Sequence, residues 1–253
     1  MIWQQCVGQQ QLTSLSGSVY RIVENQQPIA NSSIVDTLAE QSVLEEMLES
    51  SVSGSKNIAQ DENLKLHHFL LSAAFREPPL KHGSRFGTRQ YPSIFYGASE
   101  LICALTEHAY YRFIFASSIT GPWPSETLLS SHTVFSVGYQ TTLGIRLNYP
   151  PFNAFHSFLA NPTNYAASQL IGLDMCNSQV EMFTYTSARD NRYECVGIFT
   201  PQVFTSSHHE RVESWLCELT PTSVQYKQAN TFTTQTLPLS QFLIDGELPN
   251  AAL

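Results

Sequence analysis

The segment at residues 81–113 constrains the fold most, because it combines a turn, a strand and a helix within one short stretch. It reads K-H-G-S-R-F-G-T-R-Q-Y-P-S-I-F-Y-G-A-S-E-L-I-C-A-L-T-E-H-A-Y-Y-R-F. Gly83 and Gly87 flank the turn, residues 93–96 are predicted to form a short apolar strand, and a helix is predicted from about 98 to 113. A chain built around such a unit is expected to contain both helices and strands.

Three side chains of different chemistry stand at equal intervals along this segment. Arg85 lies in the turn, Tyr96 in the strand and Glu107 in the helix, each eleven residues after the last. Each residue alone has an ordinary structural interpretation, as a salt-bridge arginine, a core tyrosine and a partner of Arg112 about one helical turn on. Only the combination of a cation, an aromatic ring and a carboxylate indicates a functional site.

The predicted helix has two apolar faces, and Glu107 lies on the second. The residues of the first face, which recur at the helical period, are Ala98, Leu101, Ile102, Leu105 and Ala109. The neighbours of Glu107 on the opposite side are Cys103, Tyr110 and Ile114. Because this second face is too apolar to be fully solvated, the carboxylate is expected to point into a cleft.

The rest of the chain also alternates between helical and strand patterns. The other predicted elements are a strand at 19–23, a helix at about 31–49, a helix or strand at 64–74, strands at 133–139 and 143–147, a helix at 165–175, and strands at 180–186 and 194–199. Residues 1–18 are predicted to form a loose arm, and residues from about 205 to 253 a C-terminal extension. No repeat or Gly/Ser linker divides the chain, so residues 19–253 are expected to form one mixed α/β domain of the α+β class.

Composition excludes several functional classes. Charged residues make up 13% of the chain, and the formal net charge is −8 with a pI near 5.4. Direct binding to nucleic acid is not expected, because it needs a basic surface. No run approaches 18 apolar residues and the start lacks a secretory signal, so no contact with a membrane is expected. A cytoplasmic protein is the expectation, although an effector delivered into a host would look the same.

Disulfides and metal sites are not expected either. The five cysteines are scattered, odd in number and never arranged as C-x-x-C. The adjacent pairs His67-His68 and His208-His209 are interpreted as surface or half-buried residues, with metal ligation as the less favoured alternative. The motifs of common nucleotide-binding loops and hydrolases are absent: G-x-G-x-x-G, G-x-x-x-x-G-K, G-x-S-x-G and H-E-x-x-H.

Three sequence blocks carry a resemblance to a known family. In chain order they are V-Y-R-I-V-E, G-S-R-F-G-x-x-x-Y-P-S-I-F-Y-G-A-x-x-x-x-x-A-L-x-E and Y-T-S-A-R-D, of which the middle one is the most specific. Together they resemble the RES-domain family, named for an arginine, a glutamate and a serine. That family supplies toxins of bacterial toxin–antitoxin pairs. Its members resemble ADP-ribosyltransferase toxins in fold and destroy NAD by hydrolysis or phosphorolysis of the nicotinamide–ribose bond.

The resemblance assigns a site residue by residue. The functional residues of the family fall on Arg21, Arg85, Tyr96, Glu107 and Ser187. Ser168 in A-S-Q-L-I-G is an alternative for the serine, because some relatives use a serine just before a similar helix. Phe86 stands where the family has the tryptophan of a G-R-W-N turn, and Gly87 replaces the asparagine. The long separation of the two arginines implies a helical insertion at about 31–75 that folds away from the site.

The resemblance implies that NAD is the substrate and that no cofactor or metal is needed. Arg21 and Arg85 would grip the diphosphate through charge-assisted hydrogen bonds. Tyr96 and Phe86 would offer aromatic surface to the nicotinamide or its ribose.

The implied catalytic residues are Glu107, Arg85, Tyr96 and Ser187. Glu107 would bind ribose hydroxyls and stabilise an oxocarbenium-like transition state, while Ser187 or Ser168 would position the ribose or the acceptor. Because nicotinamide leaves as a neutral group, no general acid is needed.

The acceptor decides the name of the reaction. Water makes a glycohydrolase, phosphate a phosphorylase, and a protein side chain an ADP-ribosyltransferase. Breakdown of NAD is favoured, because Leu105, two residues before Glu107, is not the acidic or amide residue that a protein-modifying transferase usually needs. A non-catalytic domain that only binds a nucleotide or a partner is the second alternative. The family also implies an antitoxin of the Xre type as a partner, and a homodimer is compatible with it.

Overall fold

The computed structural model of the protein describes residues 1–24, 68–76, 83–89, 93–121, 127–229 and 231–250. The predicted helix at 31–49, and with it most of the predicted insertion at about 31–75, lies outside the described residues. Within them, helices and strands build a single α+β domain around one mixed sheet, as predicted.

Eight strands within the described residues form that sheet. They are β1 (Thr13–Glu24), β2 (Phe95–Ala98), β3 (Leu128–Arg146), β4 (Met182–Thr186), β5 (Glu194–Ile198), β6 (Arg211–Leu219), β7 (Ser223–Gln228) and β8 (Thr234–Pro238). Their order is β1-β2-β5-β4-β3-β6-β7-β8, and β1 also pairs with β3. The first five strands in this order therefore close on themselves, and β6, β7 and β8 extend the sheet from β3. The β3–β4 pair is parallel and the other pairs are antiparallel.

The helices pack on the two faces of the sheet. Those with α-helical geometry in the described residues are α1 (Ile2–Gln5), α2 (Phe69–Arg76), α3 (Leu101–Ser117), α4 (His156–Leu159) and α5 (Ala166–Asn177). Short 3-10 helices lie at Gly8–Gln11, Phe152–Phe155, Pro201–Val203 and Leu239–Gln241.

Helix α3 is enclosed along most of its circumference. Cys103 and Ala104 pack into one core cluster, while Leu105, Ala109 and Tyr110 pack into another with residues of β6 and β7. Two separate packing surfaces explain why both faces of this helix are apolar in the sequence.

The N-terminal segment differs from the sequence-based expectation, and the C-terminal region adds strands to the sheet. Residues 1–18 are not a loose arm, because Trp3 and Cys6 are buried in a core cluster and β1 begins at Thr13. The region from about 205 onward is part of the sheet, and Trp215 and Tyr226 pack against α3. Each end therefore contributes to the core.

One long strand replaces the two strands predicted at 133–139 and 143–147. β3 continues through Thr141, which pairs with Leu15 of β1. Cross-strand pairing with a distant segment thus overrides the local signal.

Candidate active site

Glu107 lies on α3, at the centre of a group of polar side chains from other elements. Its side chain is 26% exposed, and its Oε1 accepts a hydrogen bond from Ser187 Oγ at 2.5 Å. The thiol of Cys195 also faces Oε1, with its sulfur 3.6 Å away. The carboxylate is thus held by its neighbours yet remains partly exposed.

Ser187 is fixed by the turn that follows β4. Its side chain is buried, and its Oγ accepts hydrogen bonds from the backbone N–H of Arg189 at 3.1 Å and of Asp190 at 3.2 Å. Its own N–H donates to the carbonyl of Tyr193 at 2.9 Å on the returning strand. Because two backbone donors occupy the lone pairs of Oγ, the hydroxyl proton is directed to Glu107.

Arg189 is a buried cation beside Glu107 that the sequence analysis did not assign. Its Nε lies 3.9 Å from Glu107 Oε2, and its guanidinium carbon lies 3.3 Å from the centroid of the Tyr110 ring. Nη2 donates to the hydroxyl of Tyr165 at 3.2 Å. Burial works against its charge, but the nearby Glu107 carboxylate and tyrosines outweigh burial and raise the pKa of Arg189. The sequence feature that could have identified Arg189 as a site residue is its position two residues after Ser187 in Y-T-S-A-R-D.

Arg85 also contacts Tyr165. Its guanidinium carbon lies 4.4 Å from the centroid of the Tyr165 ring, and Nη2 donates to the Tyr165 hydroxyl at 3.5 Å. Nη1 donates to the carbonyls of Asn161 at 2.8 Å and Leu159 at 3.4 Å. Tyr165 therefore links Arg85 to Arg189, and Arg85 also holds the loop before α5.

Tyr96 holds the turn that carries Arg85. Its hydroxyl accepts a hydrogen bond from the Phe86 N–H at 3.1 Å and shares another with Ser84 Oγ at 2.9 Å. Burial raises the pKa of Tyr96 to about 12, so the hydroxyl stays protonated. The turn itself needs glycine at Gly83, whose φ is +75°. Tyr96 is therefore a positioning residue for this turn.

Phe86 does not take the place predicted for it. It is 1% exposed, and its ring packs 4.7 Å from that of Phe183 and 4.8 Å from that of Tyr185, measured between centroids. It is a core residue and does not line the cleft at Ser187 and Arg189.

Arg21 is not brought to this group either. In β1, Val19 packs into the core cluster that contains Phe95. Tyr20 packs instead against the core cluster that contains Cys103 of α3. Arg21 shares the face of Val19: its guanidinium lies 4.7 Å from the Phe95 ring centroid, and Nη1 donates to the Tyr96 carbonyl at 3.1 Å. Since strand side chains alternate between faces, the sheet separates Arg21 from Glu107.

The structure distinguishes between the two serines. Ser168 is buried within α5, and its Oγ donates to the carbonyl of Tyr165 at 3.0 Å. Ser187, not Ser168, contacts Glu107. One connected region thus contains four of the predicted site residues, namely Arg85, Tyr96, Glu107 and Ser187.

A cleft of about 420 Å³ is lined by Ser187 and Arg189, the two residues that contact Glu107, but not by Glu107 itself. The turn at residues 187–191 forms one wall, and His156 and Gln241 contribute to the others. The volume is in the range of small-molecule sites. Ser187 and Arg189 therefore connect this cleft to the partly exposed Glu107 carboxylate.

The cysteines and histidines lie around or away from this region. All five cysteines lie in the described part of the chain and are free, and the Cys103 and Cys195 sulfurs are 3.6 Å apart. A hydrogen bond with Cys103 and burial raise the pKa of the Cys195 thiol. His68 and His209 pack edge to face with centroids 4.7 Å apart. In the described ranges, no group of three or more His, Cys, Asp or Glu residues could hold a metal ion.

Comparison with known proteins identifies a family. Among the residues that the structure describes, no helix is long and apolar enough to span a membrane. No curated protein matched the chain. Residues 63–220 match the RES domain, and this range contains Arg85, Tyr96, Glu107 and Ser187. The resemblance inferred from the three sequence blocks is thereby confirmed: since the match spans more than half of the sequence, the chain belongs to the RES-domain family.

Proposed function

We propose that this protein is an enzyme that degrades NAD by breaking the bond between nicotinamide and ribose. The observation that carries the proposal is the partly exposed Glu107 carboxylate, fixed by Ser187 at 2.5 Å and flanked by the Arg189 guanidinium, with Ser187 and Arg189 in the wall of a cleft. Membership of the RES-domain family supports a reaction on NAD. An ADP-ribosyltransferase-like fold is part of the same proposal.

The chemistry needs stabilisation of a cation more than proton transfer. When the C–N bond breaks, its electron pair goes to the pyridinium nitrogen, so nicotinamide leaves as a neutral molecule. Positive charge develops on the ribose carbon and its ring oxygen. A fixed carboxylate at Glu107 stabilises that charge, as carboxylates do in glycoside hydrolysis. Ser187 occupies Oε1, which leaves Oε2 for the ribose hydroxyls.

The acceptor completes the reaction by attacking the ribose carbon through oxygen. Water gives ADP-ribose after loss of a proton, and inorganic phosphate gives a phosphorylated ADP-ribose. The residues next to Glu107 support small acceptors over a protein side chain. Leu105 is 2% exposed, and the buried Thr106 hydroxyl donates to the Ile102 carbonyl at 2.8 Å. His108 is engaged with the Tyr226 hydroxyl at 2.5 Å. These three neighbours are thus committed to the fold.

The direct test is incubation of the purified protein with NAD, with and without phosphate, followed by assay of free nicotinamide. We expect nicotinamide release together with ADP-ribose or its phosphorylated form. Glu107→Gln is the inactive control, which excludes a contaminating enzyme. If NAD labelled in its ADP-ribose part ends up chiefly on protein, the reaction is ADP-ribosyl transfer instead. If NAD binds but no nicotinamide is released, the domain is a binding module.

A toxin role follows from NAD loss. We expect expression in bacteria to lower cellular NAD and arrest growth, and an Xre-type antitoxin that covers the cleft to relieve the arrest. Glu107→Gln, expressed to the same level, is the control. Normal growth with undiminished NAD at confirmed soluble expression would contradict this role.

A further inference from the structure

Arg189 carries two hydrogen-bond donors that have no partner among the described residues. Its side chain is 2% exposed, and among the described residues neither Nε nor Nη1 has a hydrogen-bond partner. The contact of Nε with Glu107, at 3.9 Å, is an ion pair too long for a hydrogen bond. Buried cations normally have their donors satisfied. The unused donors of Arg189 therefore point to a ligand that accepts hydrogen bonds.

The position of Arg189 defines what that ligand can be. Arg189 belongs to the wall of the 420 Å³ cleft, next to Ser187. Both arginines contact the Tyr165 hydroxyl: Nη2 of Arg189 donates to it at 3.2 Å and Nη2 of Arg85 at 3.5 Å. Two guanidinium groups joined in this way favour an anion. A phosphoryl group is the match, because its oxygens fit the planar donor pattern of arginine.

We propose that Arg189, supported by Tyr165 and Arg85, binds a phosphoryl group in this cleft, an inference that deepens the proposed function and rests on it. Arg189 takes the role of binding phosphate oxygens that the family resemblance assigned to Arg21. The phosphoryl group has two sources: the diphosphate of NAD, and inorganic phosphate as the acceptor. In the second case a phosphate oxygen forms the bond to the ribose carbon while the C–N electron pair leaves with nicotinamide. No further reactant is needed.

Binding is tested first, without catalysis. Calorimetry with inorganic pyrophosphate and with inorganic phosphate compares the native protein with Arg189→Gln and Arg189→Lys. We expect binding of at least one probe to weaken roughly 10- to 100-fold in Arg189→Gln, the loss of a charge-assisted hydrogen bond. Arg189→Lys keeps the charge but loses the planar donor pattern, so it is expected to weaken binding as well.

Arg192→Gln is the matched control. It removes an arginine from the same turn, but this side chain is 73% exposed and pairs with Asp190 at 2.6 Å. We expect it to bind both probes like the native protein. Tyr165→Phe gives a second reading if the Arg189 variants do not fold, because only the hydroxyl that both arginines share is lost. Tyr165→Phe is expected to weaken binding of the same probe that Arg189→Gln affects. Unchanged binding in the folded Arg189 variants, or in Tyr165→Phe if those do not fold, would overturn the proposal.

Kinetics then identify the source of the phosphoryl group. A raised KM for NAD together with weaker pyrophosphate binding in Arg189→Gln assigns the residue to the diphosphate. A raised KM for phosphate with less phosphorylated product assigns it to the acceptor. Pyrophosphate or phosphate binding that depends on Arg189 in a protein that never cleaves NAD would refute the proposed function while supporting the anion site.

Discussion

Ser187 Oγ lies 2.5 Å from Glu107 Oε1, although 80 residues separate the two in sequence. The contact joins α3 to the turn that follows β4, and the backbone N–H groups of Arg189 and Asp190 fix the serine hydroxyl in turn. The carboxylate is therefore oriented before any substrate arrives. Such preorganisation lowers the cost of reaching the transition state.

Replacement of Glu107 tests the centre of the site. Glu107→Gln keeps the shape and a hydrogen-bond acceptor for Ser187 but removes the charge that stabilises the developing cation. We expect NAD consumption to fall about 100-fold or more, with Tm nearly unchanged. Glu100→Gln, an exposed residue just before α3, serves as the control and is expected to retain activity. Undiminished activity in Glu107→Gln would move the catalytic role to another residue.

A pair of variants decides between the two serines of the sequence analysis. Ser187→Ala removes the donor to Glu107 and the acceptor of two backbone N–H groups. We expect a loss of activity of roughly 10- to 100-fold and of about 1–3 kcal/mol in the free energy of unfolding. Ser168→Ala removes only a bond to a carbonyl in its own helix turn, so we expect full activity. Chemical denaturation and the nicotinamide assay measure both quantities, and the reverse ranking would restore Ser168 to the site.

Local signals in the sequence were sufficient for the unit that carries Glu107. The turn glycine, the short strand and the helical period are properties of neighbouring residues, and they predicted the existence of β2 and α3. The bounds differ, because α3 begins at Leu101 and Ala98, predicted on a helix face, ends β2. Contacts between segments distant in sequence could not be predicted from these local patterns. The continuity of β3 depends on β1, and the position of Arg189 depends on contacts with Tyr110 and Tyr165, distant in sequence. Arg21 was misplaced because one residue in a strand decides which face a side chain takes.

Tyr96→Phe separates support of the turn from catalysis. The change leaves the Phe86 N–H and Ser84 Oγ without the Tyr96 hydroxyl, so we expect a loss of about 1–3 kcal/mol in the free energy of unfolding. Tyr96 also contributes a pH dependence. Its pKa in the folded protein is raised to about 12, so its contribution to stability is complete below about pH 10 and is lost as the pH rises toward 12.

Denaturation of native protein and Tyr96→Phe between pH 8 and 11 checks both expectations, since only the native protein carries this part of the alkaline loss. Identical curves in the two proteins would contradict the role of the hydroxyl. A kcat close to the native value in Tyr96→Phe would fit a residue that positions the turn.

His108 of α3 and His132 of β3, whose ring centroids are 4.5 Å apart, predict sensitivity to acid. Burial lowers the pKa of His108 to about 3, helped by nearby His132 and Arg112, and burial with Arg112 lowers that of His132 to about 4. The unfolded chain therefore binds more protons below about pH 6.5, so stability falls as the pH decreases from there. We expect a loss of about 2 kcal/mol per histidine between pH 7 and 5.

Urea denaturation across this pH range measures the effect. His108→Gln should flatten the dependence, whereas His156→Gln, which changes an exposed residue, should leave it as it is. A native protein equally stable at both pH values would refute the assignment of two neutral histidines at these positions.

Arg21 gives the sharpest contrast between the family-based expectation and the structure. Its guanidinium donates to the Tyr96 carbonyl and packs on Phe95, across the sheet from Glu107. We therefore expect Arg21→Gln to lower the free energy of unfolding by about 1–3 kcal/mol and to leave the KM for NAD within about twofold of the native value. Arg85→Gln should instead impair NAD turnover, because it frees the loop at 159–161 and removes one support of Tyr165. Steady-state kinetics on folded variants distinguish the two arginines, and a KM for NAD raised tenfold or more in Arg21→Gln would return this residue to the substrate site.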